Sequence, residues 1–327
     1  MRKSTVAATE MATGWGLKTF TADALDKIHA ATLDVLHTTG VSMDCDEALD
    51  ILRDGGCWVN RKTRVVRFPE HIVTQALSTC PSQILLAARN PENDFMMGGK
   101  QVGFTNFGVG LLMEDIESGQ IRESTKEDVA QIARLVDVLP HMDILTAPVA
   151  ARDKPDESYD LHMLEAALIN CSKHYASDAE DGARTRLLIE MAATVAGGLD
   201  KLKERPIVSF GVCPTSPLQI IEASAEVIIE AARHWLPINV LSMVMAGASS
   251  PISISGTLVM HNAEVLAGII LAQLTNPGTP VIYGSSSTTL DMQQATAVVG
   301  VPEMAMISAG AAELSNFYGI PSYVAGG

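Results

Sequence analysis

The sequence has 327 residues and a formal net charge of −15, with 47% hydrophobic and 19% charged residues. That length can bury a large core, and the composition is that of an ordinary globular protein. So acidic a chain lacks the surplus of Lys and Arg that displaces counterions from nucleic acid. The five cysteines, Cys45, Cys57, Cys80, Cys171 and Cys213, include no C-x-x-C pair. A disulfide framework or structural zinc is therefore not expected, no metal ligands are assigned, and a reducing cytoplasm is.

Residues 1–14 are polar, with no apolar stretch of the kind a secretory signal requires. Thr21 then caps a helix through Ala24, Leu25, Ile28, Ala31, Val35 and Leu36, stopped by Gly40. A short helix over 47–53 closes at Gly55-Gly56. Residues 57–59 and 65–68 read as a β-hairpin across a polar turn, followed by a helix after Pro69 and a strand at 84–88. These elements suggest an N-terminal α+β extension over 1–100.

From residue 101 short apolar strands alternate with helices. Strands are predicted at 102–107, 144–149, 175–177, 207–212, 238–243, 280–284 and 321–324. Helices are predicted near 126–138, 159–170, 183–195, 219–234, 256–274 and 302–318. Alternation of this kind is the pattern of parallel βαβ units. A doubly wound dinucleotide-binding sheet would want G-x-G-x-x-G. Gly108-Val109-Gly110 offers two glycines, but Met113 stands where the third would be. The regular repeat favours an α/β TIM-type (β/α)8 barrel over 101–327, incomplete at its C-terminus because the chain stops just after the seventh strand. The most apolar stretch, 263–274, falls short of the roughly 20 residues that span a bilayer.

In such barrels chemistry sits at the carboxyl ends of the strands. The predicted rim offers Thr105, Asn106 and Phe107; Cys213 to Pro217; Ser242 to Met245; and Tyr283 to Thr289. It is rich in hydroxyls and poor in acids, His and Lys, and it shows no Ser-His-Asp order. Gly284-Ser285-Ser286-Ser287 lacks the lysine of a phosphate loop, and Cys213 reads as a small buried filler. His261 and Glu264, three apart, share a helix face and read as a buried pair, while Met243 and Met245 read as core. By themselves these residues describe a barrel enzyme with a neutral polar pocket and no visible catalyst.

Several stretches, in order, resemble the trimethylamine methyltransferase family. They are Phe20-Thr21 with His29-Ala30-Ala31-Thr32; Pro214-Thr215-Ser216-Pro217-Leu218; Pro237-Ile238-Asn239-Val240-Leu241-Ser242-Met243; Gly256-Thr257-Leu258-Val259 with His261-Asn262-Ala263-Glu264; Tyr283-Gly284-Ser285-Ser286; and Phe317-Tyr318-Gly319-Ile320-Pro321 through Gly326. The resemblance implies methyl transfer from trimethylamine to Co(I) of a separate corrinoid protein, which carries the cofactor, with release of dimethylamine. It places a catalytic pyrrolysine directly after Gly327, encoded by an amber codon, and so accounts for the abrupt stop. Tyr283, Ser285, Ser286, His261 and Glu264 lie on family-like motifs and become catalytic candidates. Asn106, Thr215 and Ser242 become candidates for the rim facing the corrinoid. A homo-oligomer is expected. The literal 327-residue product is expected to be inactive. The alternatives are a glycine betaine methyltransferase without pyrrolysine, and a non-catalytic truncated barrel serving as an assembly partner.

Overall fold

The computed structural model describes residues 12–13, 16 and 18–326. Most of the 1–14 stretch, and the reactive residue expected after Gly327, lie outside the described residues. Within them the chain forms two compact units. One holds residues 12–13 and 85–210, the other 16, 18–84 and 211–326.

In the first unit the strands Ile144–Thr146 and His174–Asp178 pair in parallel, Thr146 opposite Ala176. The helix Lys126–Val138 precedes them and Tyr159–Asn170 joins them. Thr125 opens the first helix with a capping box, accepting from the Asp128 amide while the Asp128 carboxylate accepts from its own. The strand expected at 102–107 is much reduced. Gln101–Val102 pairs with Ala12–Thr13, and Thr105 makes an isolated parallel bridge to Ile144. Glycine explains the interruption: a Cβ on Gly108 would lie 2.2 Å from the Ala147 carbonyl oxygen, so the chain there is pressed too close for a regular ladder. An unforeseen hairpin follows, Leu112–Glu114 against Ile121–Glu123.

In the second unit the strands Ile238–Ser242, Val281–Ser285 and Ser322–Val324 lie side by side and parallel. The helix Ile254–Thr275 packs on them; Gly268 is where it comes nearest, since a Cβ there would meet Val240 at 2.8 Å. The strand period of two then sorts the side chains. Val240, Ser242, Tyr283 and Ser285 face this helix. Asn239, Leu241, Met243, Ile282, Gly284 and Ser286 occupy the opposite face. The helix expected at 219–234 begins only at Glu222, because Gln219–Ile220 pairs instead with Ser42–Met43. Leu218, at φ +55°, makes the turn into that pairing.

The helix Ile254–Thr275 has 22 residues and is, by length and composition, the one described helix apolar enough to cross a membrane. Its length therefore exceeds the expectation for 263–274. What marks it as a core element is that 72% of its most apolar stretch is buried by the protein. The architecture is α/β, with parallel strands in each unit.

Candidate functional site

Glu264 is the centre of a cluster in the second unit. Its side chain is fully buried. It accepts hydrogen bonds from Ser242 Oγ at 2.6 Å, Ser216 Oγ at 2.8 Å and the Leu218 amide at 2.9 Å. Burial raises its pKa above the ordinary carboxylate range, and the bonds from Ser242, Leu218 and Ser216 offset only part of that rise. One carboxylate thus ties the end of the strand Ile238–Ser242 to the turn at 216–218.

His261 is also fully buried, one turn earlier on the same helix, but bonds elsewhere. Ser287 gives its proton to the Ser242 carbonyl at 3.2 Å, so it accepts from His261 Nδ1 at 3.1 Å. Among the described residues nothing hydrogen-bonds to Nε2. Burial lowers the imidazole pKa to about 3, and the ring lies edge-on to Tyr283 at 5.3 Å. His261 is therefore a neutral packing group, not a proton donor near pH 7.

Tyr283 donates to Asn262 Oδ1 at 2.8 Å, and Asn262 Nδ2 donates to Thr32 Oγ1 at 2.9 Å and Tyr318 Oη at 2.8 Å. That leaves Tyr318 free to donate to His29 Nδ1, 2.9 Å away. Every donor and acceptor of Asn262 is used, which cements the strand to three helices. Burial holds the Tyr283 phenol well above its ordinary pKa, so it stays neutral.

Of the five catalytic candidates, Tyr283, Ser285, His261 and Glu264 thus lie between the sheet and its covering helices. Ser286 alone is on the opposite face, its amide donating to the Ser242 carbonyl at 2.9 Å. Among the rim candidates, Ser242 is buried on Glu264 and Thr215 is exposed, paired through its backbone with Gln219. Asn106 belongs to the first unit. It donates to the Phe107 and Thr146 carbonyls and accepts from the Thr146 amide at 3.0 Å, stitching its loop to the strand Ile144–Thr146. Cys213 is exposed rather than the buried filler expected, and Met243 is 43% exposed rather than core. Both lie just beyond the last residue of a strand, where the covering layer ends.

Two residues escaped the sequence reading. Asn239 stands on the face away from that helix, its Oδ1 buried over Gly284 and without a hydrogen-bond partner among the described residues. Strand alternation could have found it. Asp178 ends the strand His174–Asp178 with an exposed side chain; an acid immediately after Tyr175-Ala176-Ser177 was the available signal.

A family model described as trimethylamine methyltransferase (MTTB) matches residues 5–327. The trimethylamine methyltransferase MttB of Desulfitobacterium hafniense is 47% identical over the whole chain, which covers 66% of that relative. A glycine betaine methyltransferase from another strain of that species is 35% identical over 94% of the chain and 64% of the relative. The crystal structure of Methanosarcina barkeri monomethylamine methyltransferase aligns with a TM-score of 0.62 at 12% identity, over 98% of this chain and 65% of that one. That likeness concerns the fold. The chain spans about two thirds of the length of the relatives it matches.

Proposed function

The chain belongs to the trimethylamine methyltransferase (MTTB) family, and on that premise we propose that its activity is methyl transfer from trimethylamine to a corrinoid protein, releasing dimethylamine. The observation that carries the substrate is the contrast in identity, 47% to a trimethylamine methyltransferase against 35% to a glycine betaine methyltransferase. The proposed fold is the (β/α)8 barrel, and the proposed setting is the cytoplasm.

In this reading the nucleophile is the reduced cobalt of a corrinoid held by the partner protein. The chain's own residues bind, orient and exclude water. Glu264 and Ser242 hold the strand end and the 216–218 turn in one arrangement. Asn262 and Tyr283 fix the neighbouring strand, so that Gly284 and Ser286 are presented from a rigid support. A pyrrolysine directly after Gly327 belongs to the same proposal, and mass spectrometry of the protein from its native host tests it.

The deciding experiment measures methylation of reduced corrinoid protein by trimethylamine, dimethylamine, monomethylamine and glycine betaine. The expected result is a preference for trimethylamine. A preference for glycine betaine overturns the substrate.

A further inference from the structure

We propose that Ser287 is the positioning residue of the amine site: its hydroxyl, itself held by His261, bridges an interruption between two strands and so fixes Met243 and Ser286, the side chains that meet the substrate. The inference rests on the methyltransferase reading above.

The strands Ile238–Ser242 and Val281–Ser285 run side by side with Ser242 opposite Ser285. Beyond them the pairing resumes in the same register, Met245–Ala246 beside Thr288–Asp291 with Met245 opposite Thr288. Met243-Val244 and Ser286-Ser287 lie in the break. Two backbone bonds cross it, from the Ser286 amide to the Ser242 carbonyl at 2.9 Å and from the Thr288 amide to the Val244 carbonyl at 3.1 Å. Regular continuation would also give the Val244 amide to the Ser286 carbonyl. It donates to Ser287 Oγ instead, at 3.2 Å.

That hydroxyl also accepts from His261 Nδ1 at 3.1 Å and donates to the Ser242 carbonyl at 3.2 Å. A serine hydroxyl has one proton to give and two lone pairs, so all of its capacity is used and its rotor has one setting. His261 belongs to the covering helix Ile254–Thr275, which ties the break to the core.

Val244 and Ser287 are fully buried on the helix side. Alternation turns Met243 and Ser286 to the other face, at the carboxyl ends of their strands, where parallel α/β proteins place their ligands. Met243 is exposed and Ser286 half-buried. Among the described residues the Ser286 hydroxyl makes no hydrogen bond. In the row behind them Leu241, Gly284 and Tyr323 stand side by side, and Gly284 brings no side chain to crowd the rim. A thioether beside an uncommitted hydroxyl suits a small methylated ammonium. The polarizable sulfur packs on N-methyl groups, and the hydroxyl oxygen accepts the single N–H of trimethylammonium in a charge-assisted bond. The separation of the two groups is set by the segments that Ser287 joins.

The test uses the full-length protein with trimethylamine and reduced corrinoid protein. It measures kcat and KM for Ser286→Ala, Ser287→Ala, His261→Phe and His261→Asn, with the folded fraction of each from circular dichroism. Ser286→Ala removes a hydroxyl that supports nothing in the fold and should raise KM about tenfold, the loss of one hydrogen bond to a charged group. Ser287→Ala and His261→Phe should raise KM as well, and together should cost no more than the larger single effect, because both remove one support. His261→Asn, whose Nδ2 can stand where the imidazole Nδ1 stood, should restore the parent KM. A merely structural role would lower the rate in proportion to folded protein and leave KM unmoved. An active parent whose KM is unchanged in Ser287→Ala and His261→Phe therefore overturns this inference alone. Should those two variants fail to fold, a parent-like KM in Ser286→Ala overturns it. A parent that does not demethylate trimethylamine overturns the reaction and the inference together.

Discussion

Replacing Glu264 by Gln keeps the side-chain shape and removes the charge. The Leu218 amide is fixed by the backbone, so the remaining carbonyl oxygen must stay with it. The new NH2 then faces Ser216 and Ser242, whose hydroxyl protons lose their acceptor. Two hydrogen bonds to a charged group amount to about 3–6 kcal/mol. Removing a buried carboxylate returns part of this, so the net loss should be about 1–3 kcal/mol. Glu264→Leu also orphans the Leu218 amide, which adds roughly 1–3 kcal/mol. At about 2–4 °C per kcal/mol for a large domain, Glu264→Gln should lower the unfolding midpoint by roughly 2–12 °C. The assay is thermal unfolding by circular dichroism of the parent, Glu264→Gln, Ser242→Ala and the double variant. The two sites should couple by about 1 kcal/mol or more. Additive effects, or a Glu264→Gln protein as stable as its parent, would refute the role of this carboxylate as a tie between strand and turn.

Gly284→Ala should cost about 2–4 kcal/mol, because the new Cβ would meet Asn239 Oδ1 at 2.3 Å and the Leu241 Cα and Val240 oxygen at 2.8 Å. Adding Asn239→Ala should recover only part of this in chemical denaturation, since the neighbouring backbone cannot yield. Asn262→Leu leaves the buried Tyr283 hydroxyl without its acceptor and takes one bond each from Thr32 and Tyr318, which keep Ile28 and His29, and it should lower stability by about 1–3 kcal/mol by the same measurement. His261 should make the protein acid-sensitive. Its folded pKa is lowered to about 3, so as pH falls below about 6.5 the unfolded chain takes up a proton that the folded one refuses. Stability should drop from there towards pH 3, and His261→Gln should flatten that slope in midpoints measured against pH.

What sequence alone determined about this protein was whatever depends on near neighbours in the chain. The helices Lys126–Val138, Tyr159–Asn170 and Pro302–Tyr318 have the predicted bounds, because apolar spacing and capping residues such as Thr125 and Pro302 are local signals. The hairpin of Trp58–Asn60 with Val65–Arg67 was equally legible. The ordered motifs identified the family, since identity accumulates along the chain whether or not any one residue's role is understood. Tertiary structure alone decided which way each candidate side chain points. Tyr283 and Ser285 belong to the helix-covered face and Gly284 and Ser286 to the other, because a strand turns successive side chains to opposite sides and only the packing of Ile254–Thr275 says which side is covered. For the same reason Glu264 and His261, one turn apart on one helix, reach different partners, and Gln219–Ile220 became strand when it met Ser42–Met43 from far back in the chain.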